Sequence, residues 1–558
     1  MKADLSRQTF DPFKRFTRVL TQQGRVQLDA DWNEQAAILL HQLRTLAADL
    51  IGPQGGPVDN LGFSIGPLTT GGSTLEDAID FVIGAGHYYV DGILCELDSP
   101  YVPIAAFPSG AKQIQVQYWP PGDVGFRIGR YVEISDGSGG VTPALYALIT
   151  GVDPVLRTLQ LDTDVSKFSP TTVRPRVRPI MTYLTQDDYP VTSDDKLKSG
   201  DFLVYLDLWE RLITFVEDDS IREVALNGPD TAARAKLVWQ VKTFAGTAIQ
   251  PREGQTYCES FKTSDPGAIA GLLGANRGRL TATTPPNSVS TDPCVISPNA
   301  RYRGPENQLY RVEIHRSGPA WNGVGKPPAE AATFKWSREN GSVIYPIVSF
   351  SRSSDGTATV VLENLGRDDR FGLAAGSDGD WVEIVDDDYE LQNDRADALG
   401  QVQTVDRVAL TVTLRAARAC TIDPNSVKGL VLRSWDQKAG EASDGGLTLS
   451  EGAALVIESD KDQWLELEDG VKIQFQEPDV GQPQNLYRRG DYWLIPARTA
   501  TGAVEWPTAL DSKGVAHPVA KAPEGIGHHY AALGVIKVNN GVVSLQGDCR
   551  KKFGALAK

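Results

Sequence analysis

The clearest pattern of apolar positions along the chain is helical and lies near its beginning. These residues recur at intervals of 4-3-4-3-4, which places them along one side of an α-helix: Trp32, Ala36, Leu39, Leu43, Leu46 and Leu50. Asp31 and Glu34 have the spacing of a capping box, and Gly52-Pro53 supplies a stop, so the pattern predicts a helix over 29–52. Neighbouring apolar residues widen this apolar side of the helix. We therefore expect the helix to pack on the β-strands of its own chain rather than form a free coiled coil.

After residue 57 the apolar residues fall into short runs separated by glycine and proline, which is typical of β-strands joined by turns. One short helix is predicted near 229–236, because Pro229 and Asp230 are good residues for a helix start. The predicted fold class is mainly β, with several small β-sandwich or barrel modules and one long N-terminal amphipathic helix.

One segment occurs twice. Residues 129–136 read GRYVEISD and residues 379–386 read GDWVEIVD, and each copy continues as turn, strand, turn, strand. The repetition predicts two similar small β modules with these segments in equivalent strands; chance similarity between two short strands is the alternative.

The patterns divide the chain into six expected segments. They are a basic arm (1–28), the helix (29–52), a β domain (60–195) holding the first small module (about 110–165), a central β domain (196–350), the second small module (355–435) and a C-terminal β domain (436–558).

Charge narrows the class of partner. The 558-residue chain has a net charge of −16, which disfavours nucleic acid and anionic membrane surfaces, whereas its first 28 residues carry six basic and two acidic side chains. No signal peptide or stretch of 18 apolar residues is visible. We therefore expect the chain to be made and assembled in the cytoplasm without membrane insertion. It either stays there or becomes part of a released or membrane-associated particle.

The residues offer little recognisable chemistry. No familiar catalytic motif is present, so we predict no enzyme activity, no catalytic residue and no cofactor. Five scattered cysteines without a C-x-x-C pair are expected to be reduced. No metal site is expected: Asp378, Asp380 and 386–388 do not match a calcium loop, and neighbouring His528 and His529 would face opposite sides of a strand.

Several phrases together are more specific. Residues 22–35 read QQGRVQLDADWNEQ, 205–210 read YLDLWE, 302–315 read YRGPENQLYRVEIH, and 490–498 read GDYWLIPAR. They resemble an uncharacterised bacterial domain family associated with phage-tail-like contractile injection systems and tail-spike-like proteins. The resemblance implies a structural subunit of the baseplate, spike region or an accessory layer, which assembles with copies of itself and other particle subunits. The alternative is a carbohydrate-binding or glycan-cleaving tail-spike or tail-fibre protein, with glycan the less favoured ligand.

The N-terminal arm is the candidate attachment element. Its basic and aromatic residues are of the types that concentrate binding energy at interfaces: Arg7, Phe10, Phe13, Lys14, Arg15, Phe16, Arg18 and Arg25. The alternative is that the arm folds back and packs on the helix 31–51 of its own chain.

Overall fold

The computed structural model describes residues 1–68, 79–108, 111–119, 126–136, 144–168, 175–192, 195–248, 250–263, 277–285, 301–366, 370–373, 379–392, 396–416, 421–425, 428–441, 445–459 and 463–555. The chain forms two compact units, each built from separate stretches of sequence. The first unit comprises Met1–Leu39, Glu210–Lys236 and Gly274–Gly527. The second comprises Leu40–Trp209, Leu237–Leu273 and His528–Lys558.

Three α-helices lie in the described residues: α1 (Asp29–Ile51), α2 (Tyr257–Ser260) and α3 (Asp387–Leu391). Short 3-10 helices occupy Pro12–Lys14, Val58–Asn60, Ser166–Phe168, Tyr183–Thr185, Asp219–Ile221 and Val224–Leu226. Among these described helices, none has both the length and the apolar character needed to cross a membrane. The short helix predicted near 229–236 is not formed; the chain is extended there because its apolar residues begin a long strand at Arg234.

Strands make up most of the rest. The first seventeen are β1 (Gln54–Pro57), β2 (Ile65–Pro67), β3 (Phe81–Ile83), β4 (Gly86–Val90), β5 (Ile93–Leu97), β6 (Val102–Ala106), β7 (Gln113–Val116), β8 (Tyr131–Ser135), β9 (Leu145–Asp153), β10 (Thr158–Leu161), β11 (Arg176–Thr182), β12 (Gly200–Ile213), β13 (Arg234–Thr247), β14 (Lys262–Thr263), β15 (Arg279–Thr283), β16 (Gln308–Arg316) and β17 (Thr333–Ser337).

The remaining strands follow in chain order. They are β18 (Ile344–Arg352), β19 (Thr357–Leu362), β20 (Trp381–Val385), β21 (Gly400–Asp406), β22 (Thr411–Ala416), β23 (Val431–Trp435), β24 (Leu449–Ser450), β25 (Ala453–Leu455), β26 (Leu465–Glu468), β27 (Val471–Gln476), β28 (Tyr492–Arg498), β29 (Ala503–Val504), β30 (Thr508–Leu510), β31 (Ala516–Pro518), β32 (His529–Asn539), β33 (Val542–Asp548) and β34 (Lys552–Phe553). The chain is therefore mainly β.

The first unit combines a six-stranded sheet with a closed barrel. The sheet has the order β24-β25-β17-β16-β28-β29, and a three-stranded sheet β15-β27-β26 shares its apolar core. The barrel, called here the second barrel, closes through β18-β19-β22-β21-β20-β23. Its interior is filled by alternate residues of these strands, among them Val360, Val382, Val412 and Leu432.

The second unit contains a barrel of the same connectivity, called here the first barrel. Its strands follow the order β11-β6-β7-β10-β9-β8, and a β11–β8 pairing closes the ring. The repeated segments fall on β8 and β20, which occupy the same position in the two rings. The prediction that 129–161 and 379–414 occupy equivalent strands of two similar modules is therefore confirmed, and the modules extend beyond the predicted limits to Val102–Thr182 and Ile344–Trp435.

A five-stranded sheet of order β14-β13-β12-β32-β33 completes the second unit. Cys549, which follows β33, forms a disulfide with Cys258 of α2 across 291 residues of sequence. The expectation of reduced cysteines is wrong for this pair, because strand pairing brings together positions that sequence spacing does not relate. Cys95 is free and buried, and Cys294 and Cys420 lie outside the described residues.

The turn Asp91-Gly92 between β4 and β5 lies against α1. Gly92 has a φ of +76°, as the second residue of a tight two-residue hairpin turn requires. A Cβ atom on Gly92 would lie 2.0 Å from the backbone carbonyl oxygen of Arg44, so the turn approaches the helix too closely for any other residue.

We expect Gly92→Ala to destabilise the second unit by about 1–3 kcal/mol more than Gly541→Ala, as measured by urea unfolding. Gly541 has a φ of +75° in the hairpin turn between β32 and β33, and a Cβ atom there meets nothing within 4 Å. Both variants carry the same backbone strain, so the difference isolates the contact with the helix. Equal losses would contradict that contact.

Candidate functional site: a buried charge cluster and an exposed helix face

The first residues of the chain are built into the first unit. The Met1 amino group donates a hydrogen bond to the Tyr492 hydroxyl at 3.0 Å. The Asn340 side-chain amide donates to the carbonyl oxygens of Met1 and Ala3, at 3.0 and 2.7 Å. Leu5 packs on the small apolar cluster around Tyr492. The chain's start is therefore part of the fold.

Lys2 enters a cluster of buried and partly buried charges. Its Nζ lies 3.2 Å from Glu390 Oε1 on α3 and 3.4 Å from Glu313 Oε1 on β16. The other members come from β16, β17, β20, β23 and the loop before β28: Arg311, His315, Lys335, Glu383, Arg433 and Arg489. The period of the strand explains the arrangement, because Arg311, Glu313 and His315 are two residues apart and share one face of β16.

Close ion pairs connect the cluster. Lys335 Nζ lies 2.7 Å from Glu383 Oε2 and 3.5 Å from Glu313 Oε1, and Arg311 Nε lies 2.6 Å from Glu313 Oε2. The Trp435 indole N–H and the Tyr389 hydroxyl also donate to Glu383, at 3.0 and 3.1 Å. The lone pairs of this buried carboxylate are thus well satisfied, which is the condition under which a buried charge is tolerated.

The charges determine which groups are ionised. The cluster holds five lysine and arginine side chains against three glutamates. Burial opposes ionisation of Glu383, but Lys335 and the other cations outweigh it and lower its pKa to about 2. Burial and the Lys335 charge lower the pKa of His315 to about 3, and burial together with Arg311 and Lys2 lowers the pKa of the Met1 amino group to about 4. His315 and the Met1 amine are therefore neutral at pH 7.

This cluster is suited to holding elements together rather than to proton transfer. A general acid or base works best with a pKa near the operating pH, whereas the carboxylates here have pKa values held well below their usual range. The cluster attaches α3, β20 and β23 to β16 and β17 of the same unit.

The acidic stretch considered for calcium has a structural role. The Asp386 side chain accepts from the Tyr389 backbone N–H at 2.8 Å and so caps α3. Asp387 and Asp388 pair with Arg211 and Lys428. Asp378 lies outside the described residues, and the described residues contain no group of three or more histidine, cysteine or acidic side chains placed to hold a metal ion.

The two adjacent histidines bond different carboxylates in the second unit. His528 Nδ1 lies 2.6 Å from Asp207, and His529 Nδ1 lies 2.8 Å from Asp91. Lys242 Nζ also donates to Asp207, at 2.8 Å. The two histidines therefore bond separate carboxylates: Asp207 is on β12, and Asp91 is in the turn between β4 and β5.

The structure separates the eight predicted attachment residues. Arg7 lies 3.4 Å from Glu505, and Phe10 is half-buried, so both belong to the part of the arm that packs on the body. The other six are exposed: Phe13, Lys14, Arg15, Phe16, Arg18 and Arg25. Phe13 has 91% of its surface accessible and Phe16 has 57%.

The arm also contacts α1. The Ser6 hydroxyl donates to Asp29 at 2.6 Å, Thr9 bonds Glu34, and the Val19 backbone N–H donates to Gln35 Oε1 at 2.8 Å. The arm thus runs beside the first turns of the helix while its aromatic and basic side chains in 13–25 stay exposed.

The six apolar residues that recur at intervals of 4-3-4-3-4 along α1, called here the seam, face solvent. Five of the six residues are large and between 50% and 64% exposed: Trp32, Leu39, Leu43, Leu46 and Leu50. The buried residues Ala30 and Ile38 lie on the opposite side. The expectation that the seam packs on the chain's own body is wrong. The side of the helix that packs on the body is the opposite one, which carries Ala30 and Ile38.

Sequence reasoning missed the charge cluster. The signal was present in β16, where Arg311, Glu313 and His315 alternate with Tyr310, Val312 and Ile314. Such alternation is typical of a strand with one solvated face, so the pattern alone suggests exposure. Only the packing of the second barrel over this face makes the charges buried.

The comparison with protein families matches the model of a family of unknown function (DUF6519) over residues 1–109, 169–257 and 274–556. The chain belongs to this family. No curated protein and no solved structure matches.

We expect Lys2→Met to lower the free energy of unfolding of the first unit by about 3 kcal/mol, because Glu313 stays buried after losing a cation and the partly buried Glu390 loses one as well. Arg7→Met is the matched control, since Arg7 and Glu505 are 39% and 44% exposed and their pair contributes under about 1 kcal/mol. Urea unfolding measures both variants. Similar losses would contradict the structural role of Lys2.

We expect the stability of the first unit to fall as the pH is lowered below 6.5, in part through His315. Because burial lowers the pKa of His315 from 6.5 to about 3, the unfolded chain binds a proton in this window that the folded chain excludes. One such proton corresponds to about 1.4 kcal/mol per pH unit. His315→Gln should flatten the dependence between about pH 5 and 6.5 relative to the parent. An unchanged slope in His315→Gln would contradict the prediction.

Proposed function

We propose that this chain is a structural subunit of a phage-tail-like contractile injection particle, in its baseplate, spike region or an accessory layer. It acts by protein–protein assembly. The observation that carries the proposal is the exposed apolar seam of α1, since a contiguous apolar surface on a folded chain marks an interaction site. The sequence resemblance described above supplies the kind of particle.

The charge distribution supports assembly. Residues 12–28 carry four exposed basic side chains and no acidic one, whereas the chain as a whole has a net charge of −16. A basic segment of this kind is attracted to an acidic neighbour, and the exposed Phe13 and Phe16 give it apolar anchors.

The burial of the tryptophans weighs against the glycan-binding alternative. All eleven tryptophans lie in the described part of the chain, and only Trp32 is exposed. Trp209, Trp336, Trp435 and Trp493 are each at most 2% exposed and pack in cores. A carbohydrate platform needs several aromatic faces exposed together, and the one exposed indole lies instead in the helical seam.

We expect the tagged chain, expressed in its source cells, to sediment with sheath and tube proteins in a large particle at a fixed ratio. Phe13→Ser/Phe16→Ser should lower its incorporation about tenfold or more, because interface aromatics carry much of the binding energy. Both substitutions leave Lys2 and its neighbours intact, which deletion of residues 2–28 would not.

The control for this experiment is Val408→Ser, which changes an apolar residue that is 96% exposed in the turn between β21 and β22. It should be incorporated like the parent. Sedimentation of the parent as a free protein of about 60 kDa would refute the proposed function.

A further inference from the structure

We propose that the exposed seam of α1 binds the same seam of a second copy of this chain, with the two helices antiparallel. This inference rests on the proposed function in one respect, that the chain is an assembly subunit, and it names the first partner in that assembly. The pair is an antiparallel two-helix contact built on helices that are already folded.

The spacing of the seam fits a helical partner. Intervals of 4-3-4-3-4 are those of the a and d positions of a coiled coil, whose side chains fill the spaces between residues of a facing helix. An extended or irregular partner would not require this repeat over the whole of Asp29–Ile51. The seam therefore fits another helix with the same repeat.

The flanks of the seam favour a second copy over a different protein. On one side lie Asn33, Leu40 and Ala47, and on the other lie Gln35, Gln42 and Asp49. Different helices commonly select each other through complementary charges at these flanking positions. Of these six residues only Asp49 is charged. An identical helix would therefore meet no like-charge repulsion along the flanks, and there is no charge pattern that would select a different helix.

The helix dipoles indicate the antiparallel arrangement. Antiparallel pairing brings the N-terminus of each α1, where the dipole is positive, beside the negative C-terminus of the other, whereas a parallel pair would place like ends together. The side-chain charges at the N-terminal end are mixed, because exposed Arg18 and Arg25 precede the helix and Asp29 and Asp31 lie in its first turn. It is therefore the dipoles that favour the antiparallel orientation.

The layers of the seam agree with this arrangement. Antiparallel pairing sets Trp32 against Leu50, Ala36 against Leu46, and Leu39 against Leu43 of the second copy. Each layer then combines a larger with a smaller side chain, or two leucines, whereas parallel pairing would place two tryptophans together and two alanines together. Large-against-small contacts fill space more evenly.

The contact area requires a contribution from the arm. A helix of 23 residues is about 34 Å long, so one face about 10 Å wide offers roughly 350 Å² per copy, against about 800 Å² per partner in a stable interface. The Val19 backbone N–H donates to Gln35 on a flank of the seam, and the exposed Leu20 follows Val19 in the chain. The arm extends the apolar surface, and the folded helix loses little conformational entropy on binding.

The test measures the oligomeric state of the full-length chain by sedimentation velocity at concentrations up to about 100 µM. The parent is expected to dimerise. Leu39→Glu/Leu43→Glu should raise the dissociation constant about 100-fold or more, because it places four carboxylates in the central layers. The control Leu156→Glu/Leu510→Glu changes two leucines that are 60% and 73% exposed elsewhere, and it should dimerise like the parent.

Disulfide cross-linking tests the orientation. A mixture of Trp32→Cys and Leu50→Cys chains should form a mixed cross-linked dimer, whereas Leu50→Cys alone should not, because its two copies would lie about 27 Å apart along the helices. The parent, with its own cysteines, is the control. A cross-linked Leu50→Cys homodimer would overturn the antiparallel arrangement.

The outcomes separate this inference from the proposed function. A monomeric parent, or a glutamate variant that dimerises like the parent, would overturn the second-copy inference even if the chain still enters a particle. A dimer that never sediments with sheath and tube proteins would refute the particle role and leave the inference standing. Because Leu39 and Leu43 are exposed, unchanged circular dichroism of the variant excludes misfolding as the cause.

Discussion

The structure of the first unit depends on the mutual satisfaction of charges that have lost their water. Glu383 and Lys335 are each almost completely buried, and neither could be accommodated alone, because removing an ion from water costs several kcal/mol even after the surroundings relax. Their ion pair, extended by Glu313 and Arg311, connects β20 of the second barrel to β16 and β17 of the six-stranded sheet.

The two barrels show how one motif serves two settings. In the first barrel, Glu133 accepts from Arg178 Nη2 at 2.6 Å and from the Tyr101 hydroxyl at 2.7 Å, and the guanidinium of Arg178 stacks on the ring of Tyr101. In the second barrel, the equivalent glutamate, Glu383, is satisfied by Lys335 and aromatic donors from other elements. The glutamate at this strand position thus bonds neighbouring residues of the first barrel in one case, and in the other it attaches the second barrel to the six-stranded sheet.

Local patterns predicted local features well. Apolar spacing located α1, and the repeated V-E-I segment located equivalent strands in two barrels, because each signal is contained in a short stretch of sequence. The predicted capping box was wrong: the helix begins at Asp29, so Asp31 lies in its first turn and not at its N-cap. Features made by distant segments were not predictable. Cys258 and Cys549 meet only after strands from separate stretches of the second unit have paired. The burial of β16 depends on a barrel whose strands follow it in the chain.

The discontinuous second unit constrains when the protein can fold during synthesis. Its five-stranded sheet has β32 between β12 and β33, and β32 belongs to the last 31 residues of the chain, His528–Lys558. A ribosome that has made β12 and β13 must therefore still translate the whole of Gly274–Gly527 before their neighbour exists. During this delay the edge of β12 offers unsatisfied backbone groups to other strands, so the nascent chain needs protection from aggregation until β32 has been made.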